Sequence, residues 1–245
     1  MKDGFFVWAH RGASKIAPEN TLAAFRAAEA AGADGIELDV HLSRDGVPVV
    51  IHDDTLDRTT DGHGPVRKAR WSELHRLDAG KWFSADFSAE RLPSLEEVLS
   101  WAAGRLRLNL EIKDTLAGRA VLELLSDFPR ARILVSSFDH RLLEDLHMGA
   151  PEIPLAFLVD SRFWRRALSR AVACRAEALN PRYDRVSRPM ITSCRSKGVA
   201  VYPWTVDEAE TLVHLCRLGV DGVFTNDPES VVRSLEKCTP SGRSE

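Results

Sequence analysis

The chain lacks the features that would direct it to a membrane, a nucleic acid or a disulfide scaffold. No apolar stretch approaches the roughly 20 residues of a spanning helix. The opening MKDGFFVWAHRG has one Lys and an apolar run too short for a signal-peptide core, and that run passes straight into charge. No charge of one sign predominates: the formal net charge is −3, so nothing global attracts nucleic acid or an anionic membrane surface. The cysteines Cys174, Cys194, Cys216 and Cys238 are spread through the last third without a C-x-x-C pair, which argues against a zinc site. Three of them fall in helical stretches, where a small buried hydrophobe is the expected role. There is no internal repeat, no low-complexity tract and no interdomain linker. The expectations are a cytoplasmic location, a small-molecule partner, no nucleic acid and no stable membrane association.

What is present is alternation. The chain has 245 residues, 44% hydrophobic and 28% charged, enough for a sizeable core. Strand-like runs are Phe5–His10, Gly35–Val40, Val47–His52, Leu106–Lys113, Ile133–Phe138, Pro154–Val159, Glu177–Asn180, Val199–Trp204 and Gly222–Thr225. Helical spacing appears over Thr21–Ala31, Leu95–Ala103, Ala117–Asp127, His140–Met148, Phe163–Ala176, Val186–Lys197, Glu208–Leu218 and Glu229–Lys237. Strand and helix taking turns is the pattern of a parallel sheet with helices outside. Val47–His52 is the extra strand, since Ser43-Arg44-Asp45-Gly46 is too short for a parallel crossover and suits a hairpin. The expected fold is therefore α/β, a (β/α)8 TIM-type barrel of about 250 residues with one extra hairpin strand. An open doubly wound sheet is the alternative, but no Gly-rich phosphate loop follows the first strand. Residues 54–93, rich in turn formers and aromatics, form a small lid insertion within a single domain spanning 1–238. The tail 239–245 reads as disordered.

Several strands end in charge where a barrel strand should be apolar: His10-Arg11, Glu37 and Asp39, His52-Asp53, Glu111 and Lys113. In this fold, charge at the carboxyl ends of different strands marks the catalytic face. Glu37 and Asp39, two apart, share one side of their strand, and Glu111 and Lys113 repeat the geometry. Three converging carboxylates need a cation among them, and hard oxygen ligands favour Mg²⁺ or Ca²⁺. The alternative is a salt-bridge layer with Arg11 and Lys113. An even hairpin turn would set His52 directly across from Glu37 or Asp39. His10 and His52 beside a cation suit general acid and base, and Arg11 and Lys113 suit an anionic phosphate. Asn20, just ahead of a helix, reads as N-cap support. The arginines of FWRRALSRAVACRAEA (163–178) read as a solvated outer face.

The segments HRGASKIAPENT (10–21), GIELDVHLSRDGVPVVIHDDTLDRTT (35–60), LPSLEEVL (92–99), LNLEIK (108–113), SSFD (136–139), PWTVD (203–207) and GVDGVFTND (219–227) resemble, in order, the signatures of glycerophosphodiester phosphodiesterases. WSELHRLDAGKWF (71–83) is similar to that family's barrel-capping insertion, and the length resembles its short cytosolic bacterial members. The resemblance implies metal-dependent hydrolysis of glycerophosphodiesters to sn-glycerol 3-phosphate and an alcohol. It implies Glu37, Asp39 and Glu111 as ligands of one Mg²⁺ or Ca²⁺, and His10 and His52 as the acid/base pair. It further implies Arg11 and Lys113 at the phosphate, with Trp204 and Phe138 lining the mouth. The chain departs from the family pattern at Asp207, where Asn is common, and at Asn226, where Asp is common.

Overall fold

A computed structural model describes residues 4–237. The chain opens with β1 (Phe6–His10), α1 (Leu22–Ala30), β2 (Gly35–Leu42) and the hairpin strand β3 (Pro48–Val50). The insertion follows, carrying the single-turn α2 (Trp71–Leu74), and leads into α3 (Leu95–Ala102). Strand and helix then alternate through β4 (Arg107–Ile112), α4 (Ala117–Leu125), β5 (Arg132–Ser137), α5 (His140–Gly149), β6 (Leu155–Val159) and α6 (Trp164–Ala173). The last units are β7 (Ala178–Pro181), α7 (Arg188–Arg195), β8 (Ala200–Val201), α8 (Ala209–Leu218), β9 (Gly222–Thr225) and α9 (Pro228–Lys237).

The parallel strands run in the order β8-β7-β6-β5-β4-β2-β1-β9, with β3 antiparallel beside β2. This is the expected eight-stranded barrel with one hairpin companion. It is nearly closed, because β8 keeps regular geometry for only two residues. Pro203 has no N–H to give to a ladder. The seam is carried instead by irregular backbone: Asp221 N donates to the Val201 carbonyl at 3.1 Å, Phe224 N to Pro203 at 2.9 Å and Val206 N to Phe224 at 2.8 Å.

Alternation along each strand separates two cores. Val7, Ala9, Ile36, Leu38, Leu108 and Leu110 face outward into the large cluster shared with the helices. Trp8, Leu134, Ala156, Ala178, Tyr202 and Phe224 face inward and fill the barrel. Gly35 is required by this filling, since a Cβ there would lie 2.5 Å from the Trp8 ring. Helix ends are satisfied locally: Ser94 and Glu97 form a capping box on α3, and Asp139 accepts from Arg141 N and Leu142 N at the start of α5.

The structure corrects two expectations. The hairpin pairs Val40 with Val50 and Leu42 with Pro48. The register thus points position 52 toward Leu38, not Glu37 or Asp39, and His52 lies beyond the end of β3. Thr21 caps α1 by accepting from Ala24 N, which leaves Asn20 for another task described below. Residues 54–93 gather around their own small core of Leu56, Val66, Leu74, Ala79 and Leu92, seated on Val49 and Ile51. Cys174 and Cys194 are buried free thiols, as expected of small core residues, and burial pushes Cys194 up to about 11. The tail 239–245 and Cys238 lie outside the described residues. Among those described, no helix is long and apolar enough to cross a membrane.

Candidate active site

All the strands of the barrel point the same way, so their C-terminal ends gather the charged residues singled out in the sequence. β2 supplies Glu37 and Asp39, and β4 sets Glu111 directly beside Asp39. One oxygen from each of the three carboxylates lies within 4.8 Å of the others, and all three residues are buried.

Spacing alone left a cation site and a salt-bridge layer as alternatives; the structure has parts of both. Arg11 Nε lies 3.2 Å from Asp39 Oδ2, and Lys113 Nζ lies 3.1 Å from Asp39 Oδ1 and 2.5 Å from Glu111 Oε1. Glu37 has no such partner. Its Oε2 accepts the Arg11 backbone N–H at 3.0 Å, and its Oε1 is buried with no hydrogen bond. Two fixed cations therefore face three buried carboxylates. Burial drives Asp39 upward, but Lys113 and Arg11 outweigh it and hold the group down at about 2. Glu111 is pushed up to about 7 by burial and then by Asp39. Glu37 is raised well above the usual carboxylate range by burial, with Asp39 and Glu111 adding to it. Both upward shifts have the cause expected of buried carboxylates that outnumber the cations facing them. An all-oxygen set without thiolate or imidazole suits a hard divalent ion, so the residues present fit one.

The backbone is bent to make this arrangement. Arg11 is left-handed, with φ 57°, which turns its N–H onto Glu37. Gly12 follows at φ 85°, where a Cβ would also meet Ala24 at 2.6 Å, so only glycine fits. Asn20, with φ 58°, is a support for the carboxylates and not a helix cap. Its amide donates to Asp39 Oδ2 at 2.8 Å, and its carbonyl oxygen accepts from Asp39 N at 3.3 Å.

The two histidines have different Nδ1 partners. His10 Nδ1 lies 2.8 Å from Asn226 Oδ1, and the Asn226 amide donates to Asp207 Oδ2 at 2.6 Å. A carboxylate can only accept, which fixes the amide orientation and makes His10 Nδ1 the donor. His10 Nε2 is then the bare nitrogen, 4.0 Å from Glu37 Oε2. Burial, followed by Arg11, lowers His10 to about 4. His52 Nδ1 lies 2.6 Å from the Asp53 carboxylate, which Arg58 grips through Nε at 2.7 Å. Burial lowers His52 as well, but Asp39 and Asp53 both oppose it. Arg58 also reaches Glu19 at 2.8 Å, and Glu19 accepts from Arg11 at 2.9 Å.

Every expected site residue except Asp39 lines one cavity of about 110 Å³; Asp39 is fully buried behind it. Phe138 and Trp204 form the wall, edge to face at 5.5 Å, and the Trp204 indole N–H donates to the Asn180 carbonyl. A larger hollow of about 650 Å³ lies at the opposite end of the barrel, among Arg107, Phe128, Arg132 and Pro154. It holds none of the carboxylate cluster, so size does not mark the site here.

Sequence reasoning missed Glu19 and Arg58 as a linked pair, and it left open whether Asp207 and Asn226 touch. The signal for the second was present: two positions exchanging Asn and Asp relative to the family pattern keep one amide–carboxylate pair.

Fold and site together define a (β/α)8-barrel enzyme whose acidic, cation-ready centre receives an anionic substrate. Comparison with known proteins carries this further. Residues 10–230 match the Glycerophosphoryl diester phosphodiesterase family. The chain is 38% identical over 241 residues to a glycerophosphodiester phosphodiesterase of Caldanaerobacter subterraneus subsp. tengcongensis, covering 94% of this chain and 98% of that one. It is 35% identical to one from Bacillus altitudinis, over 94% and 98% of the two chains. Among solved structures, an Oleispira antarctica phosphodiesterase in complex with the product sn-glycerol-3-phosphate superposes with a TM-score of 0.86 at 32% identity, over 94% of this chain and 96% of that one. A Thermotoga maritima glycerophosphodiester phosphodiesterase gives 0.80 at 32%, over 94% and 97%. The chain belongs to the glycerophosphoryl diester phosphodiesterase family, and its activity is that of a glycerophosphodiester phosphodiesterase.

Proposed function

We propose that the protein hydrolyses glycerophosphodiesters to sn-glycerol 3-phosphate and an alcohol, with one Mg²⁺ or Ca²⁺ held by Glu37, Asp39 and Glu111 and with His10 and His52 dividing the proton transfers. The observation that carries this reading is the unlike support of two histidines beside one carboxylate cluster. His10 has an amide at Nδ1 and a low pKa, so it is neutral and offers Nε2 as a general base. Burial lowers His52 as well, but the carboxylate at its Nδ1 favours the charged ring and so suits this histidine better to the role of general acid.

A bound divalent ion would polarise the phosphoryl oxygens and offset their charge. Arg11 and Lys113 hold the phosphate from the side of Asp39 and Glu111. His10 Nε2 takes the proton of the attacking hydroxyl as its oxygen bonds to phosphorus. The bond from phosphorus to the alcohol oxygen breaks, and His52 Nε2 gives that oxygen its proton. Trp204 and Phe138 exclude water from one wall. Residues 54–93 act as a lid that chooses among substrates, tied to the site through Arg58. The buried free thiols of Cys174 and Cys194 support a cytoplasmic location.

A coupled assay for glycerol 3-phosphate release from glycerophosphocholine tests this reading. Activity should vanish in excess chelator and return on adding Mg²⁺ or Ca²⁺. Full activity in chelator would overturn the metal-dependent mechanism.

A further inference from the structure

Beside the carboxylates the barrel holds polar side chains that no group among the described residues satisfies. Asn109 lies two residues before Glu111 on β4, on the same inward side, and sits beside Glu37 in the register. Ser136 on β5 sits beside Glu111. Both are essentially inaccessible, at 0% and 1%. Neither atom of the Asn109 amide nor the Ser136 hydroxyl has a hydrogen-bond partner, yet both residues line the cavity that holds the histidines.

Unpartnered polar atoms in a barrel interior are costly, and the same interior accepts Leu134, Ala156 and Ala178 nearby. Unlike the equally unpartnered Trp8 indole and Asn180 amide, Asn109 and Ser136 line the cavity, which sets them against whatever substrate group enters it. That group must both give and take hydrogen bonds, because an amide offers a donor and an acceptor and a hydroxyl offers either. An alcohol hydroxyl does so; an acyl chain or a quaternary ammonium does not. A cavity of about 110 Å³, against about 30 Å³ for each water, matches a small polyol. The facing wall of Trp204 and Leu158 suits the carbon edge of such a polyol.

We propose that Asn109 and Ser136 form a hydroxyl-reading floor for the glycerol moiety, so that glycerol enters inward and the leaving alcohol points to the mouth. This rests on the functional reading given above. A floor of this kind makes the enzyme strict for glycerol, because an analogue lacking the recognised hydroxyl leaves both side chains buried and unpaired.

The test compares glycerophosphocholine with two deoxy analogues, one lacking the 2-hydroxyl of glycerol and one lacking its terminal hydroxyl. Choline release is measured with added Mg²⁺ or Ca²⁺. Wild-type kcat/KM for one analogue should fall about 10–100-fold below that for glycerophosphocholine. In Ser136→Ala and Asn109→Leu the gap should shrink to less than about threefold, because the partner is already gone. The gap is a ratio within one variant, so partial unfolding or weaker cation binding scales both substrates and leaves it unchanged. Calorimetric binding of sn-glycerol 3-phosphate, weakened in both variants, gives the same answer without turnover. A wild type that cleaves all three substrates equally shows that the floor holds only water and overturns the proposal. A gap of the same size in wild type and both variants overturns it as well. Failure to release choline from glycerophosphocholine with either ion would instead sink the functional reading, and the floor with it.

Discussion

The two ends of the barrel are built from the same strands to opposite rules. At the N-terminal end the interior is aromatic: Trp8 stacks on Phe224 at 5.7 Å, meets Phe6 at 4.4 Å and turns its edge to Tyr202 at 6.1 Å. An ion pair, Arg107 with Glu177 at 2.6 Å, closes the bottom, and the Arg107 guanidinium lies over the Trp8 ring. Two residues further along the same strands, Trp8 gives way to His10 and Gly35 to Glu37. There charge exceeds what its partners neutralise, a backbone N–H is turned by a left-handed arginine, and polar atoms go unpaired. Apart from the buried Trp8 indole N–H, which has no acceptor, the first end satisfies itself; on the proposed reading the other is completed by a cation and a substrate. Stability and function are thus separated along the strand axis, as the fold permits.

The largest expected effect probes the incomplete end. If His10 is the base and His52 the acid, their variants should differ by leaving group. His52→Ala should lose about 10²–10⁴-fold on glycerophosphocholine, whose alkoxide needs a proton, and far less on bis(p-nitrophenyl) phosphate, whose leaving group departs without one. His10→Ala should lose similarly on both substrates. Steady-state kcat/KM for the two variants on the two substrates decides it, and equal losses throughout would abolish the proposed division. Wild-type rates in either variant would make that histidine a packing residue.

The contrast between the ends also explains what the sequence made legible. Charges stand out on barrel strands because apolar residues are the rule there, so Glu37, Asp39, Glu111, Lys113 and both histidines stood out as candidates by position alone, and the structure gathers them at one end of the barrel. The strands and helices followed from periodicity, usually to within one or two residues. Three things were not legible, each for a physical reason. The hairpin register depends on turn geometry, and Val40 opposite Val50 carries His52 out of the strand. The role of Asn20 depends on a left-handed backbone that no local pattern announces, so a residue next to a helix looked like its cap. Asn109 and Ser136 are uncharged and lie within apolar runs, and only the closed barrel shows that nothing reaches them.

A second prediction tests the complete end. Trp8→Ala removes a fully buried side chain from the aromatic stack and should cost about 3–5 kcal/mol, lowering Tm by about 10 °C in a chain of this size. Metal affinity, read by calorimetry on the folded variant at low temperature, should change little. A stable Trp8→Ala protein that has lost its cation would show that the two ends are coupled and that the separation drawn above is false.

The smallest effect sharpens the account of the incomplete end through pH. Glu111 is raised to about 7 and Glu37 is raised well above its ordinary value, both mainly by burial. Below about pH 7 the cation-free protein therefore carries protons that a divalent ion must displace. Bound protons compete with the ion, so apparent affinity should rise with pH, by about tenfold per unit for each proton released, and level off only once both Glu111 and Glu37 are ionised. Asp39, held at about 2, is already charged throughout this range and contributes no slope. The histidines complicate any reading taken from stability alone. His10 is lowered to about 4, so the unfolded chain holds its proton up to about 6.5 while the native state does not. That makes the native state gain stability between these values, opposite in sign to the buried glutamates, whose unfolded forms ionise first. Comparing cation-loaded with chelated protein at each pH largely cancels the histidine contribution, because those rings titrate in both. Calorimetric titration with Mg²⁺ or Ca²⁺ from about pH 5.5 to 8, in buffers of different ionisation enthalpy, counts the protons released. Affinity flat across this range would mean that Glu37 and Glu111 are already ionised without the ion, and that Arg11 and Lys113 alone satisfy the cluster.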